Sequence, residues 1–367
     1  MSRRTFRRMQ WLRTVAEADL RAMTSGRAGE TRLGELIRAC DGAGHVPPGT
    51  RVAVLGIPED VGVRANLGRP GTRRMWREAL RALVHMQSND AIEASSIAIA
   101  GTVDVRDIQR EAKSVDRALA AARREAALGG RRAVRAAEAA ATLLGRLREL
   151  CAEIDGRVEA VITHLRDMAA VPVVIGGGHN NALGILAGCA KSAGCALNCV
   201  NVDMHGDLRA MEGRHSGNPF TYAAHGGLLG QYAVIGLQDC TANAAVMEAL
   251  RDPRMRAFTL DAIIRGEIDL AGSIDGAVTH VGSGPVTLEI DIDCVAGAPA
   301  SATAASGLSA REVRMCASRL SRELDVHAVH IAEGAPGLGP WPDAMLAKLV
   351  AELVCDVAKG ICARRAP

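Results

Sequence analysis

The chain has 367 residues, of which 48% are hydrophobic and only 2% are aromatic, so its core must consist mainly of aliphatic side chains. The formal net charge is +3 and the arginines are spread along the chain, which argues against nucleic acid or a membrane surface as a partner. No apolar run approaches the roughly 18 residues of a membrane span. The ten cysteines are scattered without a C-x-x-C pair, which favours reduced thiols in a cytoplasmic protein.

Residues 1–47 are predicted to form a charged helical extension that packs on the main domain and ends near Pro47-Pro48. Arginines dominate its start and partly resemble a transit peptide, but a basic helical extension is the favoured interpretation. The arginines that precede the first acidic residue, Glu17, are Arg3, Arg4, Arg7, Arg8 and Arg13.

From residue 48 to 367, short apolar runs alternate with helical segments, which predicts one α/β domain with a mostly parallel sheet and helices on both faces. A helical excursion is predicted over 106–168, as two helices with a break at Gly129-Gly130. In such folds, ligands bind beyond the carboxyl ends of the strands. About eight strands are predicted, at residues 51–57, 95–103, 173–175, 196–203, 231–237, 256–260, 285–293 and 327–333.

Three of the predicted strand ends carry imidazole and carboxylate side chains. At the first end, three glycines let the chain turn tightly before a histidine. At the other two ends the polar residues alternate, and side chains at alternate positions of an extended chain point to one side. The residues are His179 after the glycines 176–178, then Asp203, His205 and Asp207, and finally Asp291 and Asp293.

Each motif taken alone has another explanation, but a metal site explains all three together. The glycine turn could equally cradle a phosphate, and a pair of aspartates could be a solvated strand end. Four carboxylates and two imidazoles at one sheet edge would be costly as bare charges, and cations remove that cost. Ligands rich in carboxylate and free of thiolate favour an ion such as Mn²⁺ over structural zinc. Six ligands suit two ions that share carboxylates and a water or hydroxide.

In order and character, the three motifs resemble those of the ureohydrolase superfamily, which includes arginase, agmatinase and formimidoylglutamase. The resemblance runs from about Arg51 to the C-terminus and implies a three-layer α/β/α, arginase-like fold. Four further segments are more similar to the formimidoylglutamase branch. They are Gly68-Arg69-Pro70-Gly71, Asp207-Leu208-Arg209, Pro299-Ala300-Ser301-Ala302 and Ser306-Gly307.

The resemblance also implies a ligand set for two Mn²⁺ ions per chain. A hydroxide between the ions would attack the trigonal carbon of an amidinium or guanidinium group, and Asp207 would position it or accept its proton. The implied ligands are His179 and Asp207 for one ion, His205 and Asp293 for the other, and Asp203 and Asp291 as bridges.

The remaining site residues are expected to contact the substrate or move protons. His215 resembles the family's histidine that passes a proton to the leaving amine. Glu333 resembles the acidic residue that holds the substrate cation, and Asn218, at the end of the same loop as His215, is assigned to substrate binding. Arg209 is expected to grip a substrate carboxylate, with a salt bridge to a ligand aspartate as the alternative.

These expectations predict a manganese-dependent hydrolase of linear amidines, similar to formimidoylglutamase, which converts N-formimidoyl-L-glutamate into glutamate and formamide. An arginase or another guanidino hydrolase that releases urea is the alternative enzyme. An inactive arginase-like paralogue with a regulatory or assembly role is the alternative from a different class. A homo-oligomer, either a trimer or a hexamer, is expected from the resemblance.

Overall fold

A computed structural model describes residues 9–364 of the chain, so the arginine-rich start at Arg3, Arg4, Arg7 and Arg8 lies outside the described residues. Ten strands form one open sheet. They are β1 (Leu12–Arg13), β2 (Arg38–Ala39), β3 (Val52–Gly56), β4 (Ile97–Val103), β5 (Val171–Ile175), β6 (Leu197–Val202), β7 (Leu229–Leu237), β8 (Met255–Thr259), β9 (Pro285–Asp291) and β10 (Asp325–Ala332).

The strand order is β1-β4-β3-β5-β10-β9-β6-β7-β8, and β2 also pairs with β4. Only the β1–β4 pair is antiparallel among the described strands. Eight strands have five residues or more and two have only two residues. The predicted mostly parallel sheet of about eight strands is therefore confirmed.

Helices cover both faces of the sheet, because successive residues of each buried strand point to opposite sides. On β3, Val52 and Val54 belong to the core on the face that α1, α2, α4 and α11–α13 cover, whereas Ala53 and Leu55 belong to the core on the opposite face, which α3 and α5–α8 cover. No helix among residues 9–364 is both long and apolar enough to cross a membrane. The helices are α1 (Glu17–Met23), α2 (Leu33–Leu36), α3 (Val61–Ala65), α4 (Met75–Val84), α5 (Arg106–Ala126), α6 (Arg131–Asp167), α7 (Asn181–Ala193), α8 (Pro219–His225), α9 (Ala244–Ala249), α10 (Leu260–Ile264), α11 (Leu270–Val281), α12 (Ala310–Glu323) and α13 (Asp343–Ala363).

The described part of the N-terminal segment is helical only in part. It contains the short helices α1 and α2 together with β1 and β2, and both of these strands pair with β4. The strands form because β4 offers free backbone groups at the edge of the sheet. The segment is thus joined to the sheet by hydrogen bonds, and the boundary near residue 47 stays a prediction.

Two long helices, α5 and α6, occupy the stretch 106–168, with the break that the sequence indicates at Gly129 and Gly130. Of the nine buried residues of α6, eight lie at Leu147 or beyond, and only Ala136 precedes them. Leu128, between the two helices, is 85% exposed. The ends of α5 and α6 that flank Leu128 are therefore largely surrounded by solvent. The part of α6 from Leu147 onward packs on the sheet.

Candidate metal centre

The predicted ligands follow three strands whose carboxyl ends meet at one edge of the sheet. In the sheet, β5, β10, β9 and β6 are consecutive neighbours. His179 follows β5, the Asp203–Asp207 segment follows β6, and Asp291 ends β9. Glu333 comes directly after β10. Because the four strands are parallel, their ends bring these side chains together.

The turn before His179 depends on glycine. Gly176 and Gly177 have φ angles of +81° and +74°, which residues with a Cβ rarely adopt. A Cβ at Gly177 would also lie 2.2 Å from Asn181 Nδ2 and 2.7 Å from Glu59 Oε1. The chain can therefore pass between these two polar groups only where it has no side chain.

His179 faces three carboxylates that belong to the first group of ligands. The ring is buried, and neither of its nitrogens makes a hydrogen bond. His179 Nδ1 lies 2.9 Å from Asp207 Oδ2, 3.1 Å from Asp291 Oδ2 and 3.2 Å from Asp203 Oδ2. Ligand atoms about 2.1 Å from an octahedral ion lie roughly 3 Å from one another, so these four atoms have the spacing of a coordination shell.

A second group of ligands consists of Asp203, His205 and Asp293. His205 Nδ1 lies 3.0 Å from Asp293 Oδ2 and 3.6 Å from Asp203 Oδ1. Asp203 thus presents Oδ2 to the first group and Oδ1 to the second, as a bridging carboxylate does. Asp291 belongs only to the first group, so a bridging role for Asp291 stays a prediction.

The electrostatics of the metal-free cluster show a deficit of positive charge. Burial and the neighbouring Asp203 raise the pKa of Asp207 to about 6. Burial and Asp291 also raise the pKa of Asp293. Burial by itself lowers the pKa of His205, but the charges of Asp293 and Asp203 outweigh it and raise the pKa overall. Protons therefore compensate the carboxylates where no cation does, and two divalent ions fit the donor set.

Several residues that support the cluster were missed at the sequence level. Glu59 is one of them and is completely buried. Its Oε1 accepts hydrogen bonds of 2.7 Å from the Gly178 N–H and from Asn181 Nδ2, and its Oε2 accepts the Val61 N–H. Burial raises the pKa of Glu59. Glu59 therefore holds the glycine turn that carries His179.

Asn201 and Tyr232 support Asp203 from inside the sheet. Asn201 Nδ2 donates to Asp203 Oδ2 at 2.9 Å and to the Tyr232 hydroxyl oxygen at 3.1 Å. The Tyr232 hydroxyl donates to the Gly206 carbonyl at 2.9 Å. These bonds orient the carboxylate that both ligand groups share.

Two acidic residues of the site have left-handed backbone conformations: φ is +48° at Asp207 and +61° at Glu333. Glu333 Oε1 accepts the His179 N–H at 2.7 Å, and its Oε2 accepts the Ser301 hydroxyl. Burial and the nearby Asp291 raise the pKa of Glu333 to about 8. Glu333 is thus held firmly beside the first ligand group.

A cleft of about 280 Å³ opens onto the ligands and contains most of the predicted substrate contacts. Arg209 lines it but is already paired: its Nη1 donates to Asn66 Oδ1 at 2.6 Å and its Nη2 to Glu212 Oε1 at 2.9 Å. The salt bridge of Arg209 is therefore made with Glu212 and not with a ligand aspartate. The cleft-lining residues relevant here are His205, Asp207, Arg209, Asp293, Ser301 and Glu333.

His215 and Asn218 do not line this cleft. His215 is buried, its Nδ1 accepts the Gly217 N–H, and its Nε2 lies 3.2 Å from Glu212 Oε1. Burial and the charge of Arg209 lower the pKa of His215 to about 4. The Asn218 amide is used within its own loop, where Nδ2 donates to the Gly213 and Ala210 carbonyls and Oδ1 accepts from Arg214.

Curated relatives of this chain are formimidoylglutamases. The sequence is 28% identical to that of Rhodococcus opacus over 302 residues, which cover 79% of this chain and 80% of the relative. It is 27% identical to that of Aromatoleum aromaticum over 342 residues, or 88% of this chain and 86% of the relative. The match to that of Nocardia farcinica is 32% identical but covers 48% of this chain and 58% of the relative's length.

Solved structures share the fold. Formiminoglutamase of Trypanosoma cruzi with Mn²⁺ has a TM-score of 0.68 at 18% identity and covers 92% of this chain and 100% of its own. Formimidoylglutamase of Bacillus subtilis has a TM-score of 0.69 at 15% identity, over 92% and 94%. Proclavaminate amidino hydrolase of Streptomyces clavuligerus has a TM-score of 0.66 at 20% identity, over 93% and 99%.

The sequence model of the Arginase family matches residues 50–358. This range includes every strand from β3 to β10 and all six predicted metal ligands. The match therefore covers both the sheet and the two groups of ligands at its carboxyl edge. The chain belongs to the arginase family.

Proposed function

We propose that the chain is a manganese-dependent hydrolase of linear amidines that resembles formimidoylglutamase and acts on N-formimidoyl-L-glutamate. The observation that carries the proposal is the position of Asp203, which offers one carboxylate oxygen to each of two ligand groups. Curated relatives named formimidoylglutamase and the fold shared with a formiminoglutamase that holds Mn²⁺ support it. Two Mn²⁺ per chain and a homo-oligomer of three or six chains belong to the same proposal.

In the proposed reaction, water adds to the formimidoyl carbon, the bond from that carbon to the glutamate nitrogen breaks, and the nitrogen gains a proton. Formamide and glutamate result. Bound Mn²⁺ ions lower the pKa of water and so supply a nucleophile near neutral pH. Asp207 is assigned to accept the proton of the attacking water, which is supported by its position in the cleft wall and in the first ligand group.

Glu333 is assigned to the amidinium group, because its carboxylate lies in the cleft wall beside the ligands. The Ser301 hydroxyl and the backbone N–H of His179 each donate to one oxygen of Glu333 and fix the orientation of its carboxylate. A carboxylate in a low-dielectric cleft attracts a cationic amidinium more strongly than it attracts a neutral product. Glu333 thus favours binding of the protonated amidine.

Arg209 is assigned to a substrate carboxylate. It is the only lysine or arginine among the described residues that line the cleft. Glu212 Oε1 accepts from Arg209 and also lies 3.2 Å from His215 Nε2, so His215 is placed to position Arg209 through Glu212. The transfer of a proton by His215 to the leaving amine stays a prediction.

Elemental analysis and a substrate panel test the proposal. We expect close to two Mn²⁺ per chain and the release of formamide from N-formimidoyl-glutamate. Arginine, agmatine and 4-guanidinobutyrate, scored by urea, should react far more slowly. Faster turnover of arginine would favour a guanidino hydrolase. A protein that binds no Mn²⁺ and turns over no amidine would refute the enzyme proposal and favour an inactive paralogue.

A further inference from the structure

A buried carboxylate and a buried imidazole lie directly behind the first ligand group and have no role in the mechanism above. Glu289 of β9 and His330 of β10 are opposite each other in the register of these parallel strands. Both side chains are completely buried. His330 Nδ1 lies 2.8 Å from Glu289 Oε2. Neither residue lines the cleft, so neither can touch the substrate there.

Glu289 also faces His179 on the side away from the other ligands. Its Oε2 lies 3.5 Å from His179 Nε2, whereas His179 Nδ1 faces the three aspartates of the first group. The other oxygen, Oε1, makes no hydrogen bond. The Glu289 carboxylate therefore makes its polar contacts with one oxygen, Oε2, which faces the rings of His330 and His179. A buried carboxylate with so few partners is costly to the fold.

We propose that Glu289 is a positioning residue for His179: its Oε2, 3.5 Å from Nε2, would accept the N–H of this atom when the ring binds a metal ion, which leaves Nδ1 unprotonated and aimed at the ion. The inference rests on the metal centre proposed above. Histidines that bind metals commonly donate their second ring N–H to a carboxylate, which fixes the tautomer and raises the basicity of the ligand. Loss of such a partner typically weakens metal binding by about 10–100-fold.

His330 completes the arrangement. Its Nε2 lies 3.3 Å from the Gly176 carbonyl, so both ring nitrogens face acceptors. The ring thus lies between the Glu289 carboxylate and the Gly176 carbonyl, with one nitrogen toward each. Gly176 belongs to the turn that carries His179. The pair therefore connects the interior of β9 and β10 to the backbone that places the metal ligand.

The test compares the full-length chain with Glu289→Gln, which keeps the shape of the side chain and removes its charge. Mn²⁺ binding to the metal-free proteins is measured by equilibrium dialysis, and the bound ions are examined by electron paramagnetic resonance. We expect one ion to bind about 10–100-fold more weakly in the variant. The signal of coupled ions should be lost when Mn²⁺ is limiting. Glu248→Gln, at an exposed surface pair, is the control and should match the parent.

If Glu289 had a merely structural role, the variant would have a lower melting temperature when metal-free and a lower affinity for both ions alike. This result would overturn the inference. Equal Mn²⁺ affinities in the parent and the variant would also overturn it, while the metal centre would stand. A parent that binds no Mn²⁺ would overturn both. Three ions in the parent and two in the variant would make Glu289 a ligand and would refute the positioning role.

The double variant Glu289→Gln with His330→Gln covers the case in which the single variant does not fold. Its two amides can hydrogen-bond to each other, so neither replaced side chain loses its partner in the pair. We expect it to melt close to the parent when metal-free and to show the same loss of affinity for one ion. Parental affinity for both ions in this double variant would refute the proposal.

Discussion

Replacement of Glu59 by alanine should destabilise the metal-free chain strongly. The substitution leaves three buried donors without an acceptor: the Gly178 N–H, the Val61 N–H and the Gly62 N–H. Each unpaired buried donor costs about 1–3 kcal/mol. The variant also avoids the cost of burying a carboxylate, so we expect a net loss of about 3–5 kcal/mol, the usual effect of removing one partner from a buried polar cluster.

Thermal unfolding of the metal-free proteins, followed by circular dichroism, measures this loss. A change of about 3–5 kcal/mol corresponds to a decrease in melting temperature on the order of 5–10 °C for a large domain. Glu248→Ala is the matched control, because its pair with Arg251 is largely exposed and such changes stay within about 0.5 kcal/mol. A Glu59→Ala variant that melts within about 2 °C of the parent would show that Glu59 does not support the turn before His179.

Three further predictions concern the cleft. In the metal-free fold the pKa of Glu333 is raised from 4.5 to about 8, so the folded chain keeps a proton that the unfolded chain releases. Its contribution to stability is therefore present below pH 4.5 and lost as the pH rises to about 8, and added Mn²⁺ should remove this slope in thermal unfolding. Asp203→Asn should abolish activity and weaken both ions in dialysis, and retention of both at parental affinity would contradict the bridge. Arg209→Ala should raise KM about tenfold or more for substrates with a carboxylate and little for agmatine; equal losses for both would limit Arg209 to its contacts with Asn66 and Glu212.

The grouping of the candidate metal ligands could be predicted from the sequence because it depends on simple geometry. Asp203, His205 and Asp207 follow β6, Asp291 ends β9, and Asp293 lies in the turn after it. Parallel strands bring such ends to one edge of a sheet whatever the details of packing. Two of the three groups of side chains that could hold a metal in the described residues consist of residues that the pattern indicates, and the third combines His179 with Glu289 and His330.

Supporting residues could not be predicted, because their partners come from distant parts of the chain. Glu59 accepts from Gly178, which lies 119 residues away, and Arg209 donates to Asn66 across 143 residues. Glu289 did carry a signal, since it lies two residues before Asp291 on the same strand, β9. Its partner His330 could be found only through the register of β9 and β10, which the sequence does not reveal.

Asp207 and Glu333 have a left-handed backbone, which favours glycine, whereas the proposed reaction requires a carboxylate at both positions. Glycine adopts this conformation without strain and asparagine adopts it more readily than glutamate does, whereas other residues lose about 1–3 kcal/mol. At Glu333 the hydrogen bonds from the His179 backbone N–H and the Ser301 hydroxyl oppose such a change, whereas no hydrogen bond from the described residues holds the Asp207 side chain. A directed-evolution library selected only for resistance to heat should therefore accumulate glycine at position 207. The selected variants would have one carboxylate fewer in the cleft, so thermal selection on this scaffold requires a simultaneous selection for turnover.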